Sequence, residues 1–323
     1  MRPLALALAE RGTTTPTVSL ALLLKGARSP IVRTSAFDLK RYTHEILQSG
    51  FPGIRQLSGR AHRTQLDGCL ERIVDRDFED ASGKRVRYPR VLRRWLTAYA
   101  AAISTTATQE AIRDAATGGE ADKPARTSTT MYRAVLEHMW IVDPIPAWVP
   151  SQNAFAHLAL APKHQLADPA LAARMHGLTA DSLLGGSQPA ASDSAFHAPN
   201  AGQLVSSRAS VVRDGTWLGR LFEGLVSLDV RVYAQAAEAR VCHFRTANGR
   251  HEVDLIVVRD DGRVLAIEVK LGAVVNDGDV KHLSWLAQEI GDNLLDAIVI
   301  YTGPHAYRRA DGIGVVPAAL FGP

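Results

Sequence analysis

Three residues in the C-terminal third have the types and spacing for phosphodiester chemistry: Asp254, Glu268 and Lys270. Asp254 opens the apolar run Leu255–Val258, and fourteen positions later comes Ile267-Glu-Val-Lys270. Successive side chains of a strand alternate faces, so Glu268 and Lys270 project from one side and Ile267 and Val269 from the other. With the Asp254 strand alongside, Asp254 and Glu268 can share one divalent cation through hard carboxylate oxygens. A lysine beside them can orient a water or neutralise charge developing on a phosphate. Glu223, upstream on a helix, can complete the shell as an accessory ligand. This Asp–x(13)–Glu–x–Lys layout suits metal-dependent phosphodiester hydrolysis, with Mg²⁺ as the expected cofactor. A lone Glu-x-Lys on a strand face is ordinarily a solvated ion pair, and a lone aspartate at a strand start is ordinarily a turn residue. The joint pattern is more specific, because the strands are otherwise apolar and have no structural use for these charges.

The elements that must position these residues follow from periodicity. Residues Trp217–Val230 read as a helix with Leu218, Leu221, Phe222, Leu225 and Leu228 apolar. Strand-like runs follow at Arg240–Arg245, Val253–Val258, Val264–Val269 and Ala297–Tyr301. Asp260-Asp261-Gly262 is a hairpin turn between the second and third runs. A helix at Asp279–Ile290 separates the third from the fourth, giving the order α-β-β-β-α-β.

The preceding region is helical. Ser35 is a candidate cap for a helix carrying Phe37, Leu39, Tyr42, Ile46 and Leu47, stopped by Gly50 and Pro52. Further helices are expected at Arg63–Asp77, Tyr88–Ile103, Thr108–Ala116 and Ser128–His138. The run Met139–Trp148 has strand chemistry cut by prolines. Three short helices and a strand are the order of a winged helix, with Ser128–His138 in the recognition position behind Lys123–Thr130. The plainer reading is a helical linker whose basic and hydroxyl residues only cap and face water. Residues 1–34 read as loop-rich, with one short helix near Ser19–Leu24. The small, polar, Pro-containing stretch 185–202 is the clearest domain boundary.

The set Glu223, Asp254, Glu268-Val-Lys270 resembles the PD-(D/E)XK, restriction-endonuclease-like fold. More narrowly, the chain resembles the C-terminal portion of bacterial and archaeal AAA-type ATP-binding proteins that end in the domain of unknown function 4143. The matching stretches are Met1-Arg-Pro-Leu with Leu8-Ala-Glu10, Ser49-Gly-Phe-Pro-Gly53, Thr127–Trp148 and Ala161-Pro-Lys-His164 with Asp168-Pro169-Ala-Leu171. In the terminal region they are Phe222-Glu223, Phe244-Arg-Thr246, Glu252-Val-Asp254, Glu268-Val-Lys270 and Tyr301-Thr-Gly303. The resemblance implies an α+β multidomain chain: a mainly helical winged-helix region, then an α/β PD-(D/E)XK nuclease-like domain. The expected division is 1–34 as a remnant of the exit from an ATPase core, 35–150 as the helical domain, 151–205 as connector and linker, and 206–323 as the nuclease-like domain. No G-x-x-x-x-G-K-[ST] occurs, Ser82-Gly83-Lys84-Arg85 being the nearest approach. The chain is therefore not expected to bind ATP itself: either the gene is truncated, its start is misplaced, or a separate chain supplies the motor, so the ATPase core is expected in cis or in trans.

Composition agrees with a globular chain of about two domains at 323 residues. Its 37 Lys+Arg against 33 Asp+Glu leave a formal charge of +4, which permits a nucleic-acid partner without requiring one. Two distant cysteines, Cys69 and Cys242, exclude a disulfide scaffold and suit a reducing, cytoplasmic setting. No run reaches the ~20 apolar residues of a membrane span, and Glu10 and Arg11 interrupt the opening apolar stretch, so it does not read as a signal peptide. The acids Asp75, Asp77, Glu79 and Asp80 interleave with Arg72 and Arg76 and read as a solvated face. His138, His157, His164 and His176 share no ligand spacing, and Trp140 and Trp148 read as core. The functions expected are a Mg²⁺-dependent DNA endonuclease domain or a catalytically inactive DNA- or protein-binding regulatory module, a truncated fragment being the third reading.

Overall fold

In a computed structural model of the protein, residues 4–28, 30–83, 88–117, 123–150, 160–185, 217–246 and 248–323 are described. Of the expected boundary stretch 185–202 all but Gly185 lies outside them, as does His157. A mostly helical region over 39–184 is followed by a mixed seven-stranded sheet with helices, an α+β architecture.

The order α-β-β-β-α-β holds, and further strands complete it. Helix α11, Trp217–Ala236, leads into β3, Arg240–Arg245, β4, Glu252–Val258, and β5, Val264–Lys270; then come α12, Asp277–Ile290, and β6, Leu294–Tyr301. Elements α1 to α10, β1 and β2 precede these and are named below as needed. Strands β3, β4 and β5 form an antiparallel meander, and β6 returns parallel to β5. Gly262 makes the β4–β5 turn at φ +83, a conformation that side-chain-bearing residues rarely adopt. Three strands that periodicity did not show follow: β7, His305–Arg308, β8, Gly314–Pro317, and β9, Phe321–Gly322. The sheet order is β2-β7-β8-β6-β5-β4-β3, with β2 at Arg33–Thr34.

Strand alternation divides the apolar residues between two cores. Leu255, Val257, Leu265 and Ile267 pack with Leu221, Phe222 and Leu225 of α11. Ile256, Val258, Val264 and Ala266 pack with Val280, Leu283 and Leu286 of α12. Strand β6 lies between helices and is buried along its whole length, as strands covered on both faces are. Asn276 starts α12 with a reciprocal capping box to Asp279.

Residues 4–34 are built onto this C-terminal unit. Strand β1, Val18–Ser19, pairs parallel with β9, and β2 pairs with β7. Ser19 caps the short helix α1, Leu20–Leu23, as its position suggests. The Leu8 amide donates to Asp229 Oδ1 at 2.7 Å and the Ala9 amide to the Tyr233 hydroxyl oxygen at 3.3 Å, both on α11.

In the helical region α2 is Leu39–Gln48, α3 Pro52–Arg55 and α4 Gly59–Arg72, which continues through a π-type turn at Ile73–Asp77 into α5, Phe78–Ser82. Asp38, not Ser35, caps α2; Ser35 Oγ instead accepts the Phe37 amide and turns the chain before the helix. Helices α6, Pro89–Ala101, α7, Gln109–Ala115, and α8, Arg126–His138, match the expected trio. The run Met139–Trp148 differs from a continuous strand. It makes isolated bridges, Val142 to Leu166, Ile145 to Lys163 and Ala147 to His243. Pro144 and Pro146 have no amide to donate, so a continuous ladder cannot form. Trp148 is buried against Phe244, as expected, but Trp140 is 43% exposed, at φ +60 just past the end of α8. Two short helices close the region, α9 at Pro169–Met175 and α10 at Ala180–Leu184. Among the described residues no helix is long and apolar enough to cross a membrane.

Candidate functional site

Four elements bring charged side chains to one place. Helix α11 supplies Glu223, β4 supplies Glu252 and Asp254, and β5 supplies Glu268 and Lys270. The fourth contributor is the segment before α9, which delivers Lys163. Its backbone is clamped to the Pro-rich run: the Lys163 amide donates to Ile145 O at 2.9 Å and the Ile145 amide donates to Lys163 O at 2.8 Å. His164 is held next to it by its amide on Thr105 O, 2.8 Å, and its Nε2 on Ala107 O, 2.8 Å.

The Lys163 ammonium is 1% exposed and lies among three carboxylates. It donates to Asp254 Oδ1 at 2.9 Å and Glu223 Oε1 at 3.0 Å, and Glu252 Oε1 is 3.5 Å away. Asp254 uses its second oxygen across the sheet, where Oδ2 accepts the Val269 amide at 2.9 Å. Lys270 Nζ donates to Glu268 Oε1 at 2.8 Å. The other Glu268 oxygen, Oε2, has no hydrogen-bond partner although it is buried, Glu268 being only 5% exposed. All four expected residues therefore lie in this region, in two linked groups: Asp254 and Glu223 around Lys163, and Glu268 with Lys270. The link is a short one. Val269, whose amide holds Asp254, sits between Glu268 and Lys270.

Burial sets the protonation behaviour. Loss of solvent pushes the Glu223 carboxyl up to about 8, despite the opposing pull of Lys163. Glu268 is likewise pushed up to about 8 by burial, with the Asp254 charge adding to it. Burial also acts to raise Asp254, but Lys163, the Val269 amide and Lys270 outweigh it and hold the carboxyl below its ordinary value. For Lys163, burial opposes the charge while Asp254, Glu223 and Glu252 more than restore it, so the ammonium keeps its proton well above the usual range. These groups titrate as one set.

Whether a divalent ion fits is decided by which oxygens are free. Asp254 Oδ1 and Glu223 Oε1 already hold the ammonium, and Asp254 Oδ2 holds a backbone amide. Glu268 Oε2 is buried without a partner. In this arrangement the donor set fits an ammonium rather than Mg²⁺, and among the described residues no group of three His, Cys, Asp or Glu is placed to hold a metal.

A basic and aromatic rim borders the acids. His251 stacks on Trp285 with ring centroids 3.9 Å apart, and His282 meets His251 edge-on at 5.6 Å. Burial, then the neighbouring Lys281, His251 and Lys270, lower the His282 pKa. Arg245 lies 3.9 Å from Glu252, and Arg250 and Lys281 are exposed. Buried His243, on β3, bonds Ala161 O through Nε2 at 3.1 Å and so ties down the segment carrying Lys163. Burial and the nearby Lys163 press its pKa down to about 4, so it is neutral at pH 7.

The other sequence candidates are occupied elsewhere. Lys123, ahead of α8, pairs with Glu110 and Asp114, and Arg126, the first residue of α8, lies 3.7 Å from Glu110, so both approach acids of α7. Asp77 and Asp80 pair with Arg72 and Arg76 on an exposed face. His176 bonds Thr97 O at 3.0 Å through Nε2. Lys163 was the residue that sequence reasoning missed as a member of the site, since its partners lie 60 and 91 positions away.

Two family models match the chain. Residues 218–321 match a domain of unknown function, DUF4143, and residues 39–182 match another domain of unknown function, DUF8612. No curated protein and no solved structure matches.

Proposed function

We infer that this chain, which carries a DUF4143 domain over 218–321, is a nucleic-acid-associated accessory region of an AAA-type ATPase, that motor being supplied in cis or in trans. Its C-terminal domain is read as a PD-(D/E)XK-like domain, with a phosphodiester site at Asp254, Glu268 and Lys270 and Glu223 as accessory. The observation that carries this reading is the convergence of one helix glutamate, a β4 aspartate and a β5 Glu-x-Lys on neighbouring elements of an α-β-β-β-α-β unit. The rim of Arg245, Arg250, Lys281 and Lys270 supports a polyanionic substrate, because such charges attract phosphates. Phosphodiester hydrolysis there would need Mg²⁺ to supply an activated water, and the ion could be held only if Lys163 gave up its bonds to Asp254 and Glu223. Asp254 and Glu268 would be the ligands and Lys270 would lie beside the attacked phosphate.

A second reading has its own observation. With Lys163 among the carboxylates, the domain would bind DNA, or a protein, without cutting it. Two assays separate the readings. In one, the wild-type chain and Lys163→Met are incubated with supercoiled plasmid and Mg²⁺; in the other, duplex binding is followed at rising salt. Hydrolysis predicts nicking that disappears when Asp254→Ala or Lys270→Ala is introduced. The binding reading predicts salt-sensitive affinity with no nicking in any variant. Nicking that survives both substitutions, or no affinity for duplex at low salt, overturns the nucleic-acid assignment.

A further inference from the structure

We propose that Lys163 is a built-in counter-cation: its ammonium occupies the place where these carboxylates would bind a divalent ion, and the lysine and the ion exclude each other. The inference rests on reading Glu223, Asp254 and Glu268 as one carboxylate site. An acidic cluster alone would not carry it, but two further observations do. First, the cluster already holds a cation, an ammonium 1% exposed that contacts Asp254 and Glu223 at 2.9 and 3.0 Å. A lysine is put at such depth only when its charge is matched. Second, Glu268 Oε2 is buried without a partner beside that cluster, a carboxylate oxygen with a lone pair still to be satisfied.

The backbone around the lysine is anchored apart from the two strands that bear the acids, although β3 holds it through His243. That backbone is held by two hydrogen bonds to Ile145, by His164 on Thr105, and by His243 at Ala161. None of these contacts involves β4 or β5, the strands that carry Asp254 and Glu268.

Mn²⁺ is the probe, with thermal unfolding and calorimetric titration as readouts that do not depend on nuclease activity. The wild-type chain is expected to show no rise in Tm at about 5 mM Mn²⁺, since a ligand stabilises only the form that binds it. Lys163→Met is expected to melt lower than wild type, to recover on adding Mn²⁺, and to bind the ion at least ~10-fold more tightly than wild type. Lys163→Gln serves the same purpose if the methionine variant does not fold, because its amide can still donate to Asp254 or Glu223 without carrying charge. Equal Mn²⁺ binding by wild type and a folded Lys163 variant overturns the proposal, as does a folded variant that binds none. The underlying site reading fails separately, if Mn²⁺ binding to Lys163→Met persists when Asp254→Asn or Glu268→Gln is added.

Discussion

Asp168 gives a demanding test of how the site is held. It is fully buried, and its carboxylate serves two distant parts of the chain. Oδ1 accepts the Ala170 amide at 2.8 Å and caps α9. Oδ2 accepts the Ser49 hydroxyl at 2.7 Å and the Gly50 amide at 2.5 Å. Ser49 sits at φ +68, a strained region for a residue with a side chain, and Asp168 holds it there. Gly50 has no alternative at its position, since a Cβ would lie 2.7 Å from Leu6 O. In Asp168→Ala the lost cap costs about 1 kcal/mol. Two buried donors without partners cost about 1–3 kcal/mol each. Allowing for entry of a water, we expect a loss of about 3–5 kcal/mol in urea unfolding at neutral pH, a large share of the ~5–15 kcal/mol typical of a domain. Asp168→Asn, which keeps one acceptor oxygen, is expected to fall between. Asp168 also ends the segment that carries Lys163, so amide exchange at residues 163–167 should accelerate in Asp168→Ala more than in β6. A loss below ~1 kcal/mol, the size of an ordinary surface change, would refute the role given to Asp168.

Other outcomes follow from the same contacts. Burial pushes Asp229 up to about 7, so the folded chain keeps this proton to higher pH than the unfolded chain does. Stability should therefore fall as pH rises from about 4 to about 7, and Asp229→Asn, which keeps the acceptor for Leu8, should remove on the order of 2–4 kcal/mol of that fall. Identical urea midpoints against pH for the two proteins would contradict this. Gly303→Ala would place a Cβ 2.5 Å from Ala273 O and against the Tyr301 ring, and a loss of at least about 2 kcal/mol in thermal unfolding is expected. Glu268→Gln removes a carboxyl pushed up to about 8, so relative to wild type its stability should rise as pH goes from about 4.5 to about 8 and level off above, read from urea midpoints.

The terminal domain was legible where its residues carried their own signal. Alternating apolar positions gave β3, β4 and β5, and a 3.6-residue stripe gave α11 and α12. Asp254, Glu268 and Lys270 stood out because charge interrupts apolar strands, and Glu223 because it lies on the helix just before them. Strands β7 and β8 have four residues each and β9 two, too short for alternation to rise above noise. The pairing of β1 and β2 with the far C-terminal strands leaves no local trace, because partners some 270 to 300 positions apart share no periodicity. The Met139–Trp148 run has strand composition, but its two prolines limit it to isolated bridges. Lys163 lies in one of the stretches that carry the resemblance, but its place in the site leaves no local trace, since a single lysine in a connector acquires that meaning only when the fold places Glu223 and Asp254 around it.

The most direct test of that placement is a double-mutant cycle of Lys163→Met and Asp254→Asn, read as unfolding free energy. A buried pair at 2.9 Å should couple strongly. The two losses should fail to add, with an interaction energy of about 2–3 kcal/mol. Losses that add to within about 0.5 kcal/mol would mean that Lys163 and Asp254 do not form one site.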